Sequence, residues 1–383
     1  MRNSAALLGL LLSMLAPLPA ATSHDDYIVY FGTYTAAVSK GIYAYRFRPS
    51  TGKLTPMGVA AEAPNPSFLA IHPNHRFLYA VNWKASGDQP GNTVSAFSID
   101  PRTSKLTFLN KVSSHGEMPT HLAMDSRGTT LVVANYGSGT VASFPIEPDG
   151  RLGEAVTVDQ HTGPPVKAHG GVPHAHDVLF SPDQRLVYIA ELGLDRVYVY
   201  NLNAARHTLS PHDPPWGVDD PGSGPRHMAM DPTGKFLYVN NETNSTVSVF
   251  AREGDGGTLQ ETQAISTLPP DFHGRNSTAE IQMDRAGRFL YVSNRGNDSI
   301  VVFVVDEQTG KLSLVENVPT QGKMPRNFSL DATGKYLFAA NETSSTVVIF
   351  RVDQGTGRLT PTGQVLDVPS PSCVIFYDTA AQR

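Results

Sequence analysis

The chain has 383 residues, enough for two ordinary domains or one large repetitive one, with 40% hydrophobic and 17% charged residues. A formal net charge of −5 argues against the basic face or tail by which proteins hold nucleic-acid phosphates, so no nucleic-acid partner is expected. The single cysteine, Cys373, excludes an intrachain disulfide and any paired-cysteine metal spacing, which leaves the core alone to hold the fold.

Residues 1–23, MRNSAALLGLLLSMLAPLPAATS, open with Arg2, continue with an apolar run from Ala5 to Leu15, and end in the small residues Ala20, Ala21 and Ser23. That order is a secretory signal with a cleavage site, and the run falls short of the ~20 residues needed to cross a bilayer. The expectation is an exported, periplasmic protein with no membrane contact after cleavage, built as a single domain over residues 24–383.

From Ile28 onward one pattern recurs. IVYFGTYTAAVSKGIYAYRF begins it, followed by FLYAVN from Phe77, TLVVANYGSGTVASF from Thr130 and LVYIAELGLDRVYVY from Leu186. FLYVNNETNSTVSVF (236–250), FLYVSNRGNDSIVVF (289–303) and YLFAANETSSTVVIF (336–350) complete it. With Val29, Leu78, Leu131, Val187, Leu237, Leu290 and Leu337 equivalent, the steps are 49, 53, 56, 50, 53 and 47 residues. Within a unit, two apolar β-rich runs flank a turn such as Asp231, Pro232 and Gly234 in MAMDPTGKFLYV; a third run and a weaker fourth, such as LQETQAIS (259–266), follow. Four short strands repeating at this interval are the signature of a propeller blade. The first unit lacks its first strand, whereas PSPSCVIFYD (369–378) repeats the first-strand segment PNPSFLAIHP (64–73). The expected fold is therefore all-β: a seven-bladed β-propeller closed by pairing of the N- and C-terminal strands, which removes exposed sheet edges.

In such a ring, residues at the start of strand one and the end of strand two converge on one mouth of the central channel. The first column holds Ser67, Thr120, His176, Arg226, Ala279, Arg326 and Ser372, and its neighbour Phe68, His121, Asp177, His227, Glu280, Asn327 and Cys373. Strand two ends in Thr33, Asn82, Asn135, Glu191, Asn241, Asn294 and Asn341, then Tyr34, Trp83, Tyr136, Leu192, Glu242, Arg295 and Glu342. A repeated Asn reads as a structural, turn-forming residue. Columns that vary between blades are candidates for function. Arginines at 226, 295 and 326 aimed at one mouth suit a carboxylate or phosphate, and a nearby His or Glu can activate water. Their structural alternative is a set of ion pairs around a wet channel. HGGVPHAHD (169–177) packs three histidines, but without a regular ligand set it does not make a metal site, and neither a metal nor a cofactor is expected.

PHAHD, AELGLDRVYVY, GPRH, AEIQMDRAGRFLYVSNRGNDSI and MPRNFSLDATGKYL resemble the propeller-type lactonase family, 6-phosphogluconolactonase-like and related to carboxymuconate-lactonizing enzyme. The resemblance runs from YFGTYT (30–35) to PSPSCVIF. It implies a hydrolase site of one histidine, two arginines and one carboxylate: His176, with His174 as substitute, Arg226, Arg295 and Glu242. Water activated by His176 or Glu242 is expected to attack the carbonyl of a small, anionic sugar lactone, held by Arg226 and Arg295. The remaining polar groups of the columns, His227, Glu280, Arg326 and Glu342, together with His174, are expected to bind substrate. One departure concerns the substrate: cytoplasmic sugar-phosphate enzymes need no export signal, and this chain carries one. The other reading of the sequence is an exported non-catalytic propeller that binds or scaffolds.

Overall fold

The computed structural model describes residues 26–35, 38–84, 91–100, 102–164, 166 and 170–379, so the expected signal segment lies outside the described residues. Seven four-stranded antiparallel sheets make up the fold, each a blade of four consecutive strands except the first. There the C-terminal strand Pro371–Asp378 pairs with Tyr27–Thr33, in register from Tyr27 opposite Asp378 to Gly32 opposite Cys373 and then, past a bulge, Thr33 opposite Pro371. The innermost strands of adjacent blades touch one another all the way round, including the C-terminal strand against the innermost strands of blades 2 and 7. The ring is closed as the terminal repeat predicts.

Position in the blade explains the composition of each strand. The second strand, such as Phe289–Arg295, is buried along its whole length because neighbouring blades cover both its faces. It consequently reads as a near-continuous apolar run. The outermost strand has only one covered face, so Thr258–Ser266 alternates between exposed and partly buried residues and gives a weaker signal. The core is divided into seven hydrophobic clusters, one between each pair of adjacent blades.

Buried tyrosines tie the blades together. The hydroxyls of Tyr79, Tyr188, Tyr238 and Tyr291 donate to the carbonyls of Gly150, Gly256, Gly310 and Gly357 in the next blade, at 3.0, 2.6, 3.0 and 3.0 Å. Each such bond contributes about 1 kcal/mol net. Blade 3 has Leu131, Val132 and Val133 in this region instead, and His207 of blade 4 supplies the tie, its Nδ1 2.8 Å from the Thr130 hydroxyl and its carbonyl accepting from Ser143 at 2.7 Å.

The constant asparagines are structural: Asn241 bonds Thr246 and Ser248 across the turn that follows its strand, and the others also reach a crossover. Fully buried, Asn82, Asn135, Asn294 and Asn341 donate their amides to the carbonyls of Pro64, Ser114, Thr267 and Thr320. Those carbonyls belong to the crossover into the channel strand of a blade, so the asparagines fix where that strand begins.

Candidate active site

Each channel strand begins with a β-bulge. Pro225 lies opposite Asn241 and His227 opposite Asn240, which leaves Arg226 as the extra residue. The same shift isolates Ser67, Thr120, His176, Arg326 and Ser372, and blade 6 has it between Thr278 and Ile281. A bulge re-aims a side chain that strict alternation would send elsewhere. Here it lets two successive residues of each strand serve the channel, in two layers.

The upper layer forms a pocket lined by Tyr34, Ser67, Phe68, Thr120, His176, Arg226, His227, Arg326, Asn327 and Ser372. Arg226 is 2% exposed; its Nε donates to Glu242 Oε2 at 2.8 Å and its Nη1 to the Ala279 carbonyl. Arg295 Nη2 meets the same Glu242 oxygen at 2.9 Å and donates to the Thr278 carbonyl at 2.8 Å. Burial alone would raise the Glu242 carboxyl, but Arg295, Arg226 and Arg326 outweigh it and hold it below the ordinary carboxylate range. Burial, then repulsion from Arg295, lowers Arg226 to about 9. Arg326 lies with its guanidinium 5.3 Å from the Tyr34 ring centre and 3.7 Å from Glu342 Oε2.

His176 faces this cationic group. Its ring centre is 5.1 Å from that of His227 and 5.5 Å from that of Tyr136, and its buried Nδ1 has no hydrogen-bond partner. Burial first, then Arg226, His227, Arg326 and Arg295, push its proton affinity well below the ordinary histidine value. The ring is therefore neutral at pH 7 and able to accept a proton. An unsatisfied buried nitrogen beside a small pocket of about 10 Å³ is a group that a bound water can complete.

Several expected residues lie elsewhere than the columns alone suggest. His174 Nδ1 is bound to the Tyr136 carbonyl at 2.8 Å and its ring stacks on Tyr136 at 4.4 Å, so it braces the mouth and is absent from the pocket wall. Glu242, Glu342 and Arg295 are also absent from that wall, the last because blade 6 continues its second strand one residue further, pairing Arg295 with Ser277. Glu280 sits one layer deeper, 3.3 Å from His227 Nδ1, and lines a second cavity at the opposite mouth. His121, at the same depth, is occupied by Asp177 at 3.0 Å and by the Val178 amide. Among the described residues no group of His, Cys, Asp and Glu could hold a metal ion.

Two positioning residues escaped the sequence reading. Glu191 replaces the constant asparagine in blade 4 and is fully buried, with Oε2 2.6 Å from His161 Nδ1. Its Oε1 accepts the backbone N–H groups of His174 and Gly193. His161 is fixed in turn by stacking on Tyr198 and by the Tyr200 hydroxyl, 3.1 Å from its Nε2. This chain of contacts sets the segment that carries His174 and His176. Its signal was the acidic residue in an otherwise amide-rich column.

Residues 28–376 match the lactonase, seven-bladed β-propeller family. The chain belongs to that family. It is a lactonase-type hydrolase, which decides against the non-catalytic scaffold. A 6-phosphogluconolactonase from Bacillus subtilis is 38% identical over 308 residues, 79% of this chain and 84% of the relative. Among solved structures, a periplasmic gluconolactonase from Pseudomonas aeruginosa superposes with a TM-score of 0.86 at 34% identity, covering 92% of this chain and 99% of the other. A putative 6-phosphogluconolactonase from Bacteroides fragilis gives 0.85 at 34% identity, covering 94% and 99%.

Proposed function

We propose that this protein hydrolyses a sugar lactone at the channel mouth, with His176 as general base. The observation that carries the reading is the convergence of neutral His176, Arg226 and Arg326 on one pocket, with Glu242 anchoring Arg226. His176 takes a proton from water, the water oxygen attacks the carbonyl carbon, and Arg226 meets the developing oxyanion. The tetrahedral adduct then collapses: its remaining hydroxyl proton passes to the departing ring oxygen, which leaves as an alcohol, the acyl carbon becomes a carboxylate, and one proton stays on His176. Glu242 is the poorer base because two guanidiniums share its Oε2. Arg295 therefore acts through Glu242, holding it in place, rather than on the substrate. Arg326 and Glu342 at the rim, with Tyr34 and Trp83 in edge contact at 5.4 Å, offer polar and apolar surfaces to a sugar ring.

The export signal read in residues 1–23 and the similarity to a periplasmic gluconolactonase both support a periplasmic location. Phosphorylated sugars are scarce outside the cytoplasm, so we assign a non-phosphorylated aldonolactone as substrate. The test is ring opening of glucono-δ-lactone and its 6-phosphate side by side, corrected for the spontaneous rate. Faster opening of the unphosphorylated lactone is expected, with Arg226→Ala lowering kcat/KM on the order of 100-fold, as for a lost oxyanion donor. Preference for the phosphate ester overturns the substrate assignment, and no rate above background with either overturns the hydrolytic reading for sugar lactones.

A further inference from the structure

Hydrolysis of a lactone at neutral pH releases one proton per turnover, because the product acid ionises. With substrate seated over the upper pocket, the proton accepted by the base must leave by a path that the substrate does not block. The channel below His176 holds such a path. The His227 ring lines the site pocket 5.1 Å from the His176 ring centre, while its Nδ1 is 3.3 Å from Glu280 Oε2. Glu280 in turn lines a cavity of about 390 Å³ at the opposite mouth, walled by Gln282, Asp284, Arg285 and Asp331, where the channel strands of blades 6 and 7 end. Asn327 and Phe68 line both spaces. The His227–Glu280 contact is thus the partition between two openings on opposite faces of the ring.

We propose that His227 and Glu280 carry the catalytic proton from the site through the channel to the opposite mouth. This inference rests on the hydrolytic reading of the site. The water O–H bond breaks as His176 takes its proton. A bridging water passes the proton to His227 Nε2 as Glu280, protonated at rest, gives its own proton to solvent in the lower cavity and takes the His227 Nδ1 proton in its place. No net charge accumulates once the carboxylate product has formed. The groups facing the pair suit this passage. Arg226, Asp177, His121 and Arg326 surround His227 electrostatically, and Arg226, Asp177 and His121 surround Glu280. Burial and Arg226 keep His227 neutral between transfers, and burial keeps Glu280 protonated through neutral pH. Both groups are therefore uncharged at rest, so the channel carries no charge between transfers. Asn327 donates to Glu280 Oε2 and the Ile281 amide to Oε1 at 3.1 Å, which holds the carboxyl in line.

The test compares wild type with Glu280→Gln at fixed pH and ionic strength, following disappearance of the lactone in dilute and in concentrated imidazole buffer. Glutamine keeps the shape and cannot carry the proton. In dilute buffer the variant is expected to lose kcat about tenfold, at the low edge of an acid–base contribution, with KM unchanged. Concentrated imidazole, small enough to enter the lower cavity and take the His227 proton in place of Glu280, restores it. A variant as fast as wild type in dilute buffer, or slowed by the same factor at every buffer concentration, overturns the relay. If wild type opens neither gluconolactone, the hydrolytic reading fails separately. The relay is then read from solvent exchange of the His227 ring proton in nitrogen-15 histidine spectra: slower exchange in Glu280→Gln supports it, and equal exchange overturns it.

Discussion

Arg226 and Glu280 occupy adjacent blades one layer apart, and burial shifts both toward their uncharged forms. Arg226 is lowered to about 9, so it keeps its charge through neutral pH and loses it on the alkaline side. His176 is neutral well below its ordinary range, so its acid limb lies below pH 6.5. Background-corrected kcat/KM should therefore stay flat across neutral pH and fall near pH 9; a limb centred near 6.5 would remove His176 as the base. Glu280 is raised from 4.5 to about 8, burial being the largest cause. The folded state then binds this proton more tightly than the unfolded chain, and its contribution to stability is complete below pH 4.5 and is lost as pH rises through 8. Glu280→Gln cannot ionise, so its melting temperature relative to wild type should climb between those limits. A difference that does not change with pH would contradict the raised value. The candidate residues were legible because each variable column broke a repeating grammar, but the sequence could not show that Arg295 turns to Glu242 and away from the pocket. That depends on one extra paired residue at the end of its strand.

The element that organises the site is the bulged start of the channel strand. Strict alternation would put Arg226 and His227 on opposite faces. The bulge gives them two depths of one channel, and for the same reason Glu280, expected at the mouth, stands below it. Sequence periodicity carries no sign of this, since a bulge adds one residue without changing the apolar run that follows. The 3₁₀ turn Leu192–Leu194 in blade 4 is equally specific. A Cβ on Gly193 would come 1.9 Å from the Val172 carbonyl oxygen, a backbone atom that cannot move without shifting the segment leading to His174 and His176. Gly193→Ala is expected to destabilise the protein by about 1–3 kcal/mol, the usual cost of overpacking. It should also lower kcat while Arg226 and Glu242 remain in place. Measured by denaturant unfolding and initial rates, full activity in this variant would show that the segment does not set His176.

At the scale of the whole molecule, closure depends on the C-terminal strand. Pro371–Asp378 supplies the channel strand of blade 1, and Cys373, Val374 and Tyr377 are buried in the clusters against blades 2 and 7. Deletion of residues 371–383 should leave an open edge, exposed apolar faces and aggregation. Soluble, fully folded protein from this deletion would mean that the ring closes without that strand. This closure was legible in the sequence because PSPSCVIFYD repeats PNPSFLAIHP, and repetition survives whatever distance separates the copies. The blade count was legible for the same reason: every second strand is buried on both faces and must be apolar. The outer strands were faint because solvent accepts almost any polar residue on their exposed side. By itself the sequence determined seven similar units, their closure and the few positions where polar residues break the repeat, since these are properties of order along the chain. Which of those positions share a pocket, which oxygen of Glu242 two arginines share, and which histidine meets Glu280 were decided only by the tertiary structure, because bulges, strand ends and inter-blade contacts set distances between residues roughly fifty apart in sequence.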